Sequence, residues 1–155
     1  MSNPTAKQRA QWRVFLETAL ALIDILDAEM QAQQGMSLGW YDVLVHLEDA
    51  PEGLGMTELA NRILFSKSGL TRVIDRMEAA GLVRRERPPA DRRVVKVLLT
   101  PAGLAALNAA RAIHRRGIQE HFDSHIDPAE LEALAAALRG VREHVRPLRP
   151  GRISH

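Results

Sequence analysis

Between residues 82 and 100 the chain changes its hydrophobic period. Residues 82–87 and 94–100 shift towards a period of two, rich in Val and Leu with interleaved charge, while the apolar spacing on both sides is helical. A period near two turns one face of a strand inward, and a period near 3.6 turns one stripe of a helix inward. A chain that carries both, in this order, is helical with a small β element inserted. Pro88-Pro89-Ala90-Asp91-Arg92-Arg93 separates the two runs, which read as strands, and itself reads as a proline-stiffened hairpin loop.

The helical segments can be placed from their stripes and caps. Trp12, Phe15, Leu16, Ala19, Leu20, Ile23, Leu26 and Met30 lie along one side of a long helix over about residues 5–33, which Gly35 ends. A second helix runs through Leu38, Tyr41, Val43, Leu44 and Leu47, stopped by Ala50-Pro51-Glu52-Gly53. A short third carries Met56, Leu59, Ala60 and Ile63. Leu64-Phe65 then turns the chain into a fourth helix, expected over residues 66–80, with Ser66 as its N-cap and Gly81 at its end. Leu70, Val73, Ile74 and Met77 face inward there. Gly69 falls inside it at a propensity loss of roughly 1 kcal/mol against alanine, either easing close backbone approach or softening the helix. After the hairpin, Thr100-Pro101 opens a helix through Leu104, Leu107, His114, Ile118 and Phe122, and Asp127-Pro128-Ala129-Glu130 opens the last one. The expected fold class is mainly α with a small β-hairpin wing: a winged helix-turn-helix domain plus N- and C-terminal dimerisation helices. The chain, 1–155, reads as a single domain, with a DNA-binding lobe at 36–101 and dimerisation helices at 5–34 and 102–148.

Composition removes several function classes. With no cysteine, thiolate metal sites, disulfides and thiol redox sensing are excluded. No stretch approaches the ~20 apolar residues of a membrane span, and the N-terminus has no apolar signal core, so a cytoplasmic protein with no membrane partner is expected. No nucleophile–base spacing, phosphate loop or metal-ligand cluster is present, so neither an enzyme nor a cofactor is expected. His121 and His125 have an i, i+4 spacing that would suit zinc, but the segment offers no third ligand, and no metal is expected.

Charge distribution is more informative than net charge, which is only +2. Residues 62–96 hold ten basic side chains against four acidic ones, leaving eleven basic against fifteen acidic elsewhere. Positive charge gathered in the segment that forms a helix pair and a hairpin suits one surface that meets phosphates. The second helix of such a pair fits the major groove of B-DNA, and a basic hairpin tip reaches an adjoining minor groove. Candidate DNA contacts are Ser66, Lys67, Ser68, Thr71 and Arg72 towards base edges and phosphates, Arg76 towards the backbone, and Asp91, Arg92 and Arg93 on the wing. Arg72 could instead pair locally with Asp75 or Glu78, and Asp91 could hold the loop or an arginine rotamer. A winged-helix protein-interaction module without specific DNA binding is the alternative reading.

The runs Met56-Thr57-Glu58-Leu59-Ala60, Ser66 through Glu78, Gly81-Leu82-Val83, Asp91-Arg92-Arg93 and Leu98-Leu99-Thr100-Pro101-Ala102-Gly103 closely resemble the multiple-antibiotic-resistance regulator (MarR) family. The resemblance covers nearly the whole chain. It implies that Ser66, Ser68, Thr71 and Arg72 are recognition-helix contacts and that Asp91 and Arg93 form an Asp-x-Arg wing, with Arg93 entering the minor groove. It further implies a homodimeric repressor that binds a pseudo-palindromic operator in double-stranded DNA and is released by a small aromatic or anionic ligand.

The two ends of the chain carry their own signal. Leu131, Leu134, Leu138, Val141, Val145 and Leu148 are spaced three and four apart in alternation, a seam suited to packing against other helices. With Phe15 and Leu16 of the first helix they are expected to form the dimer interface. Trp12, Trp40, Tyr41, His46 and His114 are candidates for an effector pocket between the dimer helices and the DNA-binding lobe, although such aromatics also serve as core.

Overall fold

The stripe near the N-terminus folds as α1 (Ala6–Gln34). Thr5 caps it reciprocally: Gln8 N–H donates to Thr5 Oγ1 at 3.2 Å, and Thr5 N–H donates to Gln8 Oε1 at 2.8 Å. This is a computed structural model that describes residues 3–64 and 68–148. Gly35 closes α1 in the left-handed conformation and the chain turns at once into α2 (Leu38–Glu48). Ser37 Oγ accepts from Trp40 N–H at 3.1 Å, and Asp27 Oδ1 accepts from Leu38 N–H at 2.7 Å, so α1 also holds the start of α2.

β1 (Leu54–Gly55) leads into α3 (Met56–Arg62), and after the turn comes α4 (Leu70–Ala79). The hairpin forms as expected, from β2 (Val83–Glu86) and β3 (Lys96–Leu99), antiparallel with Val83 opposite Leu99 and Glu86 opposite Lys96. Both strands are shorter than the expected runs, 82–87 and 94–100. A third strand was not anticipated: β1 pairs with the other edge of β3, Leu54 opposite Val97, giving the order β1-β3-β2. Two residues are too few to show a period.

α5 (Pro101–His121) begins where Thr100 Oγ1 accepts from Gly103 N–H at 2.9 Å. α6 (Pro128–Val145) begins where Asp127 Oδ1 accepts from Ala129 N–H at 2.8 Å. The apolar seam read through Leu148 leaves the helix early. α6 stops at Val145, and Arg146–Leu148 is a short 3-10 turn. Pro147 explains the stop, since it lacks an N–H and disfavours helix at the preceding residue.

The fourth helix also starts later than expected. Gly69, at φ 79°, is its N-cap rather than an interior residue, and Leu70 is its first helical position. The left-handed step is open to glycine without a Cβ penalty, which removes the expected propensity loss. Ser66 and Lys67 lie outside the described residues, as does the side chain of Leu148.

One core serves the lobe. Val43, Leu44 and Leu47 of α2, Leu59 of α3, Ile74 and Met77 of α4, and Val83 and Val97 of the hairpin are fully or almost fully buried. Met30 from α1 and Leu107 and Ala110 from α5 join them. α1 and α5 cross closely: a Cβ on Gly117 would stand 2.5 Å from Leu26 Cδ2, so the Leu26 side chain would have to shift to admit one. No helix among the described residues is long and apolar enough to cross a membrane.

Candidate nucleic-acid interface

α4 divides sharply by face. Leu70, Ile74 and Met77 are buried and Val73 is half-buried, while Thr71, Arg72, Asp75 and Arg76 are exposed. Ser68 is exposed in the turn just before Gly69. The wing stands next to this face. Thr71 of α4 lines one cleft, about 390 Å³, together with Met56, Arg85, Glu86, Arg87 and Val95.

The wing loop is held by its own polar groups. Arg93 N–H donates to Asp91 Oδ1 at 3.0 Å, and the Arg87 guanidinium donates to the Arg92 carbonyl at 2.9 Å. Asp91 therefore shapes the loop through the backbone rather than by fixing an arginine rotamer. The side chains of Arg92 and Arg93 stay exposed.

Pairing separates the basic residues into two groups. Arg62 is neutralised by Glu58 at 2.5 Å, and Arg84 by Glu86. Arg85 takes both acids of α4, with Nη2 2.7 Å from Asp75 Oδ1 and Nη1 2.5 Å from Glu78 Oε2. Burial works against the Arg85 charge, but hydrogen bonds and attraction from Asp75 and Glu78 outweigh it and hold its pKa above the ordinary value. Asp75 and Glu78 are thus occupied, and Arg72 does not pair with either. Among the described residues, Arg87 has no carboxylate within salt-bridge distance but is held by the Arg92 carbonyl, whereas Arg72, Arg76, Arg92 and Arg93 have neither a carboxylate nor another partner for their guanidinium groups. Four unpaired guanidinium groups on one helix face and its adjoining hairpin attract a polyanion, and arginine forks also match base edges and phosphates.

Two residues in this region escaped sequence reasoning. Arg85 sits on a strand with no motif, and its signal was the pair of acids at i, i+3 on an otherwise basic helix. Asp42 is an acid within the apolar run of α2, only 7% exposed. Its Oδ2 accepts from Leu64 N–H at 2.5 Å, tying α2 to the turn that enters α4.

The five effector candidates do not form one site within the chain. Tyr41 and His114 meet, with ring centroids 4.7 Å apart, and burial pushes the His114 pKa down. Arg111 joins Glu48 beside them, and this hydrogen-bonded pairing raises the pKa of Arg111. His46 turns to Asp42, at 3.5 Å. Trp40 lines a separate cleft of about 190 Å³ with Ser37, Val73 and Arg76. Trp12, 60% exposed, lies against Phe15 on the outer half of α1. The i, i+4 spacing of His121 and His125 is not a helical one, because α5 ends at His121. His121 Nε2 meets Glu29 Oε1 at 2.6 Å, and His125 is exposed in the 3-10 turn Asp123–His125.

The dimerisation candidates are uncovered in the single chain. Phe15, Leu16, Val141 and Val145 are exposed, and Leu131, Leu134 and Leu138 are only half-buried.

Comparison with known proteins agrees with this arrangement. The MarR family model matches residues 34–94, the span from the end of α1 to the wing. The HTH-type transcriptional regulator PecS of Dickeya dadantii (strain 3937) is 30% identical over 132 residues, covering 80% of this chain and 75% of PecS. AbsC, a MarR family transcriptional regulator from Streptomyces coelicolor, is 32% identical with a TM-score of 0.85, over 95% of this chain and 99% of AbsC. Sco3205, a MarR family regulator from the same organism solved in complex with DNA, is 31% identical with a TM-score of 0.86, over 94% and 91% of the two chains. Identity of 30–32% to these regulators, over most of PecS and nearly the full length of AbsC and Sco3205, places the chain in the MarR family of transcriptional regulators.

Proposed function

We propose that the protein is a cytoplasmic homodimeric repressor that binds a pseudo-palindromic operator in double-stranded DNA and is released by a small aromatic or anionic ligand. The observation that carries the DNA reading is the set of four exposed, unpaired arginines, Arg72 and Arg76 on α4 and Arg92 and Arg93 on the wing. Sco3205, similar in fold and sequence, was itself solved in complex with DNA, which supports DNA binding here. The uncovered apolar stripes of α1 and α6 support pairing with a second copy. Two-fold symmetry would set the two recognition helices about one DNA turn, ~34 Å, apart.

Release by a ligand is supported by the junction of α2 and α5, where Tyr41, His114, Arg111 and Glu48 gather between the lobe and the long helices. A neutral histidine, a phenol ring and a guanidinium suit an aromatic or anionic molecule. A ligand that prefers one angle between lobe and helices would shift the dimer to a spacing that no longer matches successive grooves.

The test is fluorescence anisotropy with the duplex upstream of the chain's own gene. Affinity falls linearly on a log–log plot against salt, with a slope that counts the phosphates neutralised. Arg72→Ala abolishes preference for that duplex over a scrambled one, a loss on the order of tenfold or more. Arg93→Ala lowers affinity while keeping most of the preference. If both variants bind as the parent does, this interface is not the one that meets DNA.

A further inference from the structure

Arg85 is set apart from the other arginines of the basic segment by what it joins. It lies on β2, the edge strand of the sheet, and only a quarter of its side chain is exposed. Both of its outer nitrogens reach across to α4, one to Asp75 and one to Glu78. Its backbone N–H also donates to Glu78 Oε1, at 3.3 Å. Three polar links thus run from a single strand residue to two successive turns of the helix. The other ion pairs of the segment stay within one element: Arg62 with Glu58 on α3, and Arg84 with Glu86 on β2. A planar guanidinium held at two separate carboxylates fixes direction as well as distance, which a single contact does not.

The position of Asp75 makes the link consequential. Asp75 falls three residues after Arg72 and one before Arg76, on the same exposed side of α4. The clamp therefore sits at the rim of the surface that carries Arg72, and its strand continues directly into the loop that carries Arg92 and Arg93. We infer that Arg85 is a positioning residue that sets the angle between recognition helix and wing, so that Arg72 and Arg93 engage one duplex together. This rests on the DNA-binding reading above and deepens it, assigning the device that makes two contact surfaces act as one.

Masking of acids is the competing role, since Arg85 also neutralises two carboxylates close to the DNA face. The two roles separate by experiment. Anisotropy titrations would use the full-length chain, a duplex selected by the parent from a random pool, and a scrambled duplex. Arg85→Gln is expected to weaken binding to the selected duplex about tenfold, one step of 1.4 kcal/mol, with binding to the scrambled duplex little changed. The triple variant Arg85→Gln, Asp75→Asn, Glu78→Gln removes the unmasked acids and remains as weak on the selected duplex. Arg85→Lys keeps the charge, loses the two-point fork and falls between parent and Arg85→Gln, which gives a second reading should the Gln variant fold poorly by circular dichroism.

A double-mutant cycle adds a readout that stability alone does not move. Arg72→Ala and Arg93→Ala are non-additive in the parent background and become additive in the Arg85→Gln background. Recovery of parent affinity in the triple variant overturns the inference in favour of charge masking, and unchanged binding by Arg85→Gln overturns it outright. A parent that selects no duplex sinks the regulator reading and this inference together, whereas a selected duplex bound equally by parent and Arg85→Gln sinks only the inference.

Discussion

The lobe and the terminal helices contain similar apolar side chains and dispose of them in opposite ways. In the lobe, Leu44, Leu47, Leu59, Ile74, Met77, Val83 and Val97 are all at most 2% exposed, and α2, α3, α4 and the hairpin satisfy one another. In α6 no residue is buried, and in α1 only Met30 is. Leu20 is 54% exposed and Val141 55%, values that water penalises when they recur along a whole stripe. Amphipathic periodicity therefore means two things in one chain. In the lobe it records a core, completed by Met30 of α1 and Leu107 and Ala110 of α5, and in α6 and most of α1 it records an apolar stripe that the single chain leaves uncovered.

The comparison is broken most directly in the lobe. Ile74→Ala removes three carbons from a site with no exposure and is expected to cost about 4 kcal/mol, read as a fall in the denaturant midpoint. A loss under 1 kcal/mol would show that the α4 packing is loose and that the lobe is no better closed than the helices around it. Next in size is the pair Leu134→Asp and Leu138→Asp on α6. Charges on this half-buried stripe should leave the lobe core untouched but weaken self-association at least 100-fold, about 3 kcal/mol, in sedimentation equilibrium. Should the double variant sediment as the parent does, α6 is not the interface.

How much of this was readable from the chain follows the same division. At Thr100-Pro101 and Asp127-Pro128, where a cap is followed by proline and a periodic run, sequence and structure agree to within a residue. These signals are local, written in groups a few residues apart. What was not legible depends on distant partners. β1 exists only because β3 offers its edge to Leu54 and Gly55. The start of α4 depends on a left-handed step at Gly69, and a glycine within an apolar-periodic run reads equally well as interior or cap. Of the candidate interface, the exposed positions Thr71, Arg72, Arg92 and Arg93 were nameable from helix phase and loop composition. Which arginines stay unpaired was not, because Arg85 competes for Asp75 and Glu78 from seven to ten residues away. The effector candidates scattered for the same reason: composition lists aromatics and histidines, and only packing decides that Tyr41 meets His114 while Trp12 does not.

The smallest expected effect sharpens the boundary between the two regions, because His114 of α5 stacks on Tyr41 of α2 there. Burial disfavours the imidazolium and lowers the His114 pKa below its ordinary 6.5. In the unfolded chain the histidine regains that ordinary value. As pH falls through 6.5, the unfolded chain takes up a proton that the folded chain refuses, so stability drops until the folded His114 is itself protonated. Above 6.5 both states are neutral and the residue contributes no slope. His114→Gln removes this one titration while leaving His46, His121 and the carboxylates in place. Subtracting the variant's melting temperatures from the parent's across pH 7.5 to 5 should therefore give a difference that becomes more negative on acidification. A difference that stays flat would mean that His114 is as open to water in the folded protein as in the unfolded chain. The junction of lobe and long helices would then be wet, and the Tyr41–His114 contact would belong to neither region's core.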